Sequence, residues 1–124
     1  MNFVRFRLKD KELYGNLEGR TVQPIQGSIY AEYSLLPEKY SLDDVKLLAP
    51  CEPSKILCVG LNYRDHAEEV NLQIPKWPVI FMKPSTSVIG PEEDIVFPNS
   101  FVTRLDYEAE LAVVVKARTK NIEA

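Results

Sequence analysis

Residues 55–69 read Lys55-Ile-Leu-Cys-Val-Gly-Leu-Asn-Tyr-Arg-Asp-His-Ala-Glu-Glu69. Lys55 to Val59 is a compact apolar run closed by Gly60, which suits a buried strand. The polar residues after it change the period. Asn62 or Tyr63 opens a short helix from Arg64 to Val70, with Asp65 in the first turn, where the helix dipole favours an acid. Pro75 and Pro78 then bracket a loop around Trp77. With 9 prolines in 124 residues, against roughly 6 at about 5% usage, long helices are not expected anywhere in the chain.

Upstream, Phe3 to Lys9 alternates: Val4, Phe6 and Leu8 face one side, Arg5, Arg7 and Lys9 the other, as in a half-buried strand. Asp10-Lys11 makes a turn. Glu12 to Leu17 and Thr21 to Ile25 read as two further strands separated by Glu18-Gly19, so residues 1 to about 30 form a small antiparallel meander. From Tyr30 to Pro53 no period is sustained and prolines recur, which marks a connector. Downstream, Val79 to Met82 is an apolar strand and Pro84 to Thr86 turns the chain. Val88-Ile89 and Ile95-Val96-Phe97 read as short strands, and Leu105 to Val115 as a long one. The fold class is mainly β with short helices, α+β.

Composition narrows the function. The longest apolar run, Leu111 to Val115, is far below the roughly 20 residues of a membrane helix, so no membrane is expected as partner. A formal net charge of -3, without a basic cluster, argues against nucleic acid. The N-terminus lacks the apolar stretch of a signal peptide, and Cys51 and Cys58 are too few for a disulfide framework. Both point to the cytoplasm.

In Leu105 to Val115 a period of two puts Asp106, Glu108 and Glu110 on one face. Carboxylates about 7 Å apart repel unless a positive group intervenes, and a divalent cation is the natural neutraliser. A solvated acidic face with Lys or Arg neighbours explains the same pattern, and the local sequence leaves both readings open. His66 is the sole histidine, and Glu69 lies three residues on, on the same helical face. Such a pair can act as an oriented general base, although on spacing alone a surface His with a helical Glu is more often an incidental contact. Gly60 alone supports neither a dinucleotide fingerprint nor a P-loop, and no HExxH is present. Lys83, at the end of its strand, can hold a substrate carboxylate or simply sit in solvent. Cys58, inside an apolar strand, reads as a small hydrophobe.

Taken together, the block 55–69, Phe81-Met-Lys-Pro84, Ile89-Gly-Pro91 and Asp106-Tyr-Glu-Ala-Glu-Leu-Ala-Val-Val114 resemble the fumarylacetoacetate hydrolase family in order and spacing. The resemblance implies a small N-terminal β domain with connector over 1–50, and over 51–124 the first part of that family's mixed β-sandwich roll. It implies Mg²⁺ or Mn²⁺ held by Glu108 and Glu110, and a water-activating dyad of His66 and Glu69. It also implies a small 2-oxo or 2-hydroxy-dienoic acid substrate contacted by Lys83 and Arg64, and a homodimer. Hydrolytic cleavage of an acylpyruvate-type substrate in aromatic-compound breakdown is the expected reaction. Isomerisation of 2-hydroxyhepta-2,4-diene-1,7-dioate or decarboxylation of a 2-oxo acid is the alternative, since the same enolate serves all three. A non-catalytic binding module is the reading from another class. Two departures stand out: Lys116 follows the apolar strand where the family has glycine, and the family's third metal ligand, a downstream aspartate, has no counterpart within Met1–Ala124. The expectation is therefore a catalytic domain incomplete at its C-terminus, which alone binds metal poorly and shows no turnover.

Overall fold

The structure, a computed structural model, describes residues 1–97 and 101–123. Packing divides it into two compact units, one of residues 1–51 with the described residues from Gly90 onward, the other of Glu52–Ile89.

In the first unit the alternation of the N-terminus becomes a three-strand meander: β1 (Asn2–Leu8), β2 (Lys11–Glu18) and β3 (Thr21–Gly27). β1 and β2 pair antiparallel along their length, from Asn2↔Leu17 to Leu8↔Lys11. The expected connector contributes more than a link. β4 (Tyr33–Leu35) and β5 (Tyr40–Ser41) both pair with β3, and β6 (Lys46–Leu47) pairs with β1, giving a six-stranded antiparallel sheet of order β4-β3-β2-β1-β6 with β5 beside β3. These strands are two or three residues long, too short to show a period in sequence.

Phe6 and Val22 are fully buried, and Ile25 and Leu48 nearly so. Gly15 lies at the centre: a Cβ there would stand 2.7 Å from the Gln23 carbonyl oxygen and 2.9 Å from the Phe6 ring. The absence of a side chain at this point of β2 is what lets the Phe6 ring approach the sheet so closely. Across β1 and β2, Glu12 takes both arginines of the alternation, Arg7 at 2.6 Å and Arg5 beside it. The Arg7 hydrogen bond holds the Glu12 carboxyl below its usual range, and Glu12 in turn raises Arg7. Arg20 similarly meets Asp43 in the 3-10 turn Leu42–Asp44, whose N-terminus is capped by the Ser41 hydroxyl accepting from Asp43 N–H at 3.2 Å.

The second unit holds β7 (Ile56–Gly60), α1 (Arg64–Glu69) and β8 (Val79–Lys83). β7 and β8 pair antiparallel, Leu57 opposite Met82 and Val59 opposite Ile80. The apolar run at 55–59 forms the strand its composition predicts but is not buried: Leu57 is 65% exposed, and Ile80 and Met82 are similarly open. Cys58 is half-buried and free. The Lys76 ammonium lies 5.9 Å from the centroid of the exposed Trp77 ring.

Beyond β8 the sequence reading is corrected at three places, since Val88-Ile89, Ile95-Val96-Phe97 and Leu105 to Val115 form no strand. The alternation at 105–115 is present in the sequence, but a strand exists only where a neighbour takes its backbone hydrogen bonds, and no described residue pairs with this stretch. Tyr107 is 97% and Leu111 82% exposed. Pro98, which closes the second of these stretches in sequence, lies outside the described residues. Among the described residues no helix is long and apolar enough to cross a membrane.

Candidate functional site

β7 ends at Gly60, and the chain turns through Leu61, whose φ of 52° is a left-handed conformation that a leucine seldom adopts. After Asn62 and Tyr63, α1 begins at Arg64. Asp65 stands in the first turn, where its carboxylate accepts from the His66 N–H at 3.1 Å. Ala67 is the buried residue of the helix, so His66 and Glu69 are left on its open surface.

The helix stops after six residues for a reason the sequence reading missed. Asn71 has φ 54°, its N–H donates to the Glu68 carbonyl at 3.0 Å, and Leu72 N–H donates to the Ala67 carbonyl at 2.9 Å. These two bonds are a Schellman motif with asparagine in the left-handed position. An asparagine directly after the last periodic residue, Val70, is the sequence signal for it. Asn71→Gly is expected to leave stability unchanged or slightly raised. Asn71→Val should cost about 1–2 kcal/mol, because a β-branched residue resists that conformation. Urea unfolding of the two variants measures the difference, and equal stabilities would contradict the assignment.

The cap ends the turn that carries His66 and Glu69. His66 Nδ1 lies 3.5 Å from Glu69 Oε2, at the i,i+3 spacing. A carboxylate on Nδ1 orients the ring and leaves Nε2 as the nitrogen that takes a proton. Both side chains are substantially exposed, so solvent reaches the pair.

Arg64 opens α1, and Lys83 ends β8 opposite Ile56 of β7. Both are exposed, and neither side chain forms an ion pair with another described residue. Glu108 and Glu110 belong to the first unit and are exposed. Asp106, the third acid of that alternation, is held by Arg104 Nε at 2.8 Å. Glu108 and Glu110 have no such partner among the described residues, and no group of three or more His, Cys, Asp or Glu able to hold a metal occurs there. The structure therefore brings together His66 and Glu69, and leaves Glu108 and Glu110 as two oxygen donors separated by one residue.

Comparison with known proteins extends these observations. The family model described as Fumarylacetoacetate (FAA) hydrolase C-terminal matches residues 55–124, and the one described as Rv2993c-like, N-terminal matches residues 1–50. An uncharacterized protein of Archaeoglobus fulgidus is 53% identical over 81 residues, covering 65% of this chain and 32% of that protein. The mitochondrial oxaloacetate tautomerase Fahd2a of Rattus norvegicus is 41% identical over 98 residues, 78% of this chain and 30% of its own length. Among solved structures, the 2-hydroxyhepta-2,4-diene-1,7-dioate isomerase of Mycobacterium marinum superposes with a TM-score of 0.57 at 30% identity, over 70% of this chain and 33% of that one. The chain thus spans about a third of the length of these relatives. With more than half of its residues matched by the family model, the chain belongs to the fumarylacetoacetate hydrolase family.

Proposed function

We propose that this chain forms part of a divalent-metal-dependent enzyme that cleaves an acylpyruvate-type 2-oxo acid by hydrolysis. The observation that carries the reading is the His66–Glu69 contact at 3.5 Å on a capped turn of helix. Residues 1–50 serve as an N-terminal β domain and 51–124 as part of the catalytic domain.

Carboxylate oxygens are the donors that hard cations take, so Glu108 and Glu110 suit Mg²⁺ or Mn²⁺ in chemistry and supply part of its shell. When bound, the ion supplies the positive charge that polarises the 2-oxo acid end of the substrate. Lys83 and Arg64 attract the substrate carboxylate. His66, oriented by Glu69, takes a proton from water at Nε2, and the hydroxide formed adds to the acyl carbonyl. The carbon–carbon bond to the methylene then breaks, its electron pair passes to pyruvate as the enolate, and the proton on His66 returns to that carbon. Water, acylpyruvate and the two acid products balance without another reactant.

The names of the relatives favour a second reading, in which the same base moves a proton between carbon and oxygen of a 2-oxo acid without water. Product analysis separates the two: cleavage releases pyruvate, and tautomerisation or isomerisation releases none. A cytoplasmic location completes the proposal, as do a homodimer and a place in aromatic-compound breakdown, the last two resting on the family resemblance.

The metal is tested without turnover. In the whole protein of which this chain forms part, Mg²⁺ or Mn²⁺ at a hundredfold excess over its dissociation constant is expected to stabilise the fold by about 2.7 kcal/mol, read as a rise in melting temperature. Glu108→Ala combined with Glu110→Ala should abolish that rise. A melting temperature insensitive to metal in the parent protein would favour a non-catalytic module.

A further inference from the structure

The chain leaves the first unit after Cys51 and re-enters it at Gly90. The two crossing points meet. A Cβ built on Gly90 would stand 3.3 Å from the Ala49 nitrogen and 3.4 Å from the Leu48 carbonyl carbon, tighter than side chains usually pack. Leu48 is itself anchored, for its N–H donates to the Arg5 carbonyl of β1 at 2.9 Å and its side chain is buried. Shortly before it, Lys46 of β6 stands opposite Arg7 of β1. Glu93 closes the arrangement: one carboxylate oxygen accepts from Lys46 Nζ at 2.9 Å, and the other accepts from Gly90 N–H at 2.8 Å. Its own N–H donates back to the Gly90 carbonyl at 3.3 Å. One carboxylate therefore joins the strand that precedes the exit to the turn that follows the return.

We propose that Glu93 is a latch: with Lys46 and Gly90 it holds shut the neck of the 52–89 excursion, and its release loosens that neck while the meander β1–β3 stays folded. The latch does not depend on the reaction proposed above. In sequence, His66, Glu69, Arg64 and Lys83 all lie inside the excursion, and Glu108 and Glu110 follow its closing turn.

The groups facing Glu93 set how it responds to acid. Lys46 on β6, then the Gly90 N–H, hold its carboxyl below the ordinary range, and Arg7 on β1, itself bound to Glu12 on β2, acts in the same direction. Glu92 and Asp94 flank it in sequence and are exposed. With the folded-state value lowered, the latch is complete above the ordinary carboxylate range and is lost as pH falls through the depressed value.

Native-state amide exchange on the whole chain tests the proposal through Leu48, whose N–H makes no bond to Glu93. Glu93→Gln keeps an oxygen for the Gly90 N–H and drops the charge, and Glu93→Ala drops both. Exchange at Leu48 and Gly90 is expected to quicken about two- to fivefold in Glu93→Gln and about tenfold in Glu93→Ala, with the Phe6 and Val22 amides unchanged. The ratio of Glu93→Gln to parent should approach one as pH falls through the Glu93 titration. Gly90→Ala, whose Cβ would crowd Ala49, Leu48 and the Glu93 carboxyl carbon without removing a charge, should quicken the same amides. Parent-like exchange at Leu48 in both Glu93 variants would overturn the latch, and so would a loss of protection spread evenly over β1–β3. A rise confined to Glu93→Ala would overturn the part assigned to Lys46.

Discussion

His66→Ala in the whole enzyme of which this chain forms part is expected to slow hydrolysis of an acylpyruvate by about 10²- to 10⁴-fold, the usual contribution of a positioned general base. Glu69→Ala should act in the same direction, because the 3.5 Å contact to Nδ1 is what orients the ring. The two effects are not expected to add. Each variant removes the same oriented base, so the double variant should be little worse than His66→Ala alone. The stabilisation by Mg²⁺ or Mn²⁺ should persist in both, since neither residue is among the proposed metal donors. Pyruvate release measured for the three variants decides the matter. Full hydrolytic activity in both single variants would remove the dyad from the mechanism and leave the water-free reading in its place.

Phe6→Ala is expected to destabilise the first unit by about 3–5 kcal/mol, the range for deleting a buried aromatic side chain. Phe6 is fully buried, and its ring packs beside the site where Gly15 carries no side chain, so the void has few atoms able to fill it. Small domains have total stabilities of about 5–15 kcal/mol, and a loss of this size leaves little margin. Phe3→Ala provides the control. Phe3 is 37% exposed and meets Tyr33 edge-on at 5.2 Å between ring centroids, so its loss should cost about 0.5–1.5 kcal/mol for the pair plus a modest area term. Urea unfolding of the two variants should separate them clearly, and a Phe6→Ala midpoint near that of Phe3→Ala would refute the assignment of the core.

The parts of this fold that were legible in sequence are those whose cause is local. Val4, Phe6 and Leu8 alternate with Arg5, Arg7 and Lys9, and the sheet buries the first set more deeply, as the pattern requires. The helix at Arg64–Glu69 was visible because Asp65 and the change of period announce its start. Its end was harder, since the left-handed residue that caps it is asparagine and not glycine. The short strands β4, β5 and β6 escaped notice because two or three residues carry no period, and their existence depends on distant edges of β1 and β3. Residues 105–115 failed in the opposite way. Their alternation is strong, yet pairing is a property of two segments, and a pattern in one cannot supply the other. For the site, the spacing of His66 and Glu69 sufficed to place them together, and the capture of Asp106 by Arg104 could be suspected only from their closeness in sequence.

The order in which contacts can form follows from the spacing of the latch partners. β1, β2 and β3 join through turns at Lys9-Asp10 and Gly19-Arg20, so their contacts are local and hairpins of this kind close in about 1–10 μs. Lys46 and Glu93 are separated by 47 residues, and closing so long a loop carries an entropic cost that local turns avoid. Pairing of Gly60 with Val79 down to Ile56 with Lys83 draws most of that loop into one hairpin before the carboxylate arrives. During synthesis the sheet can therefore assemble while residue 93 is still to be made, and the neck closes as a late step of folding.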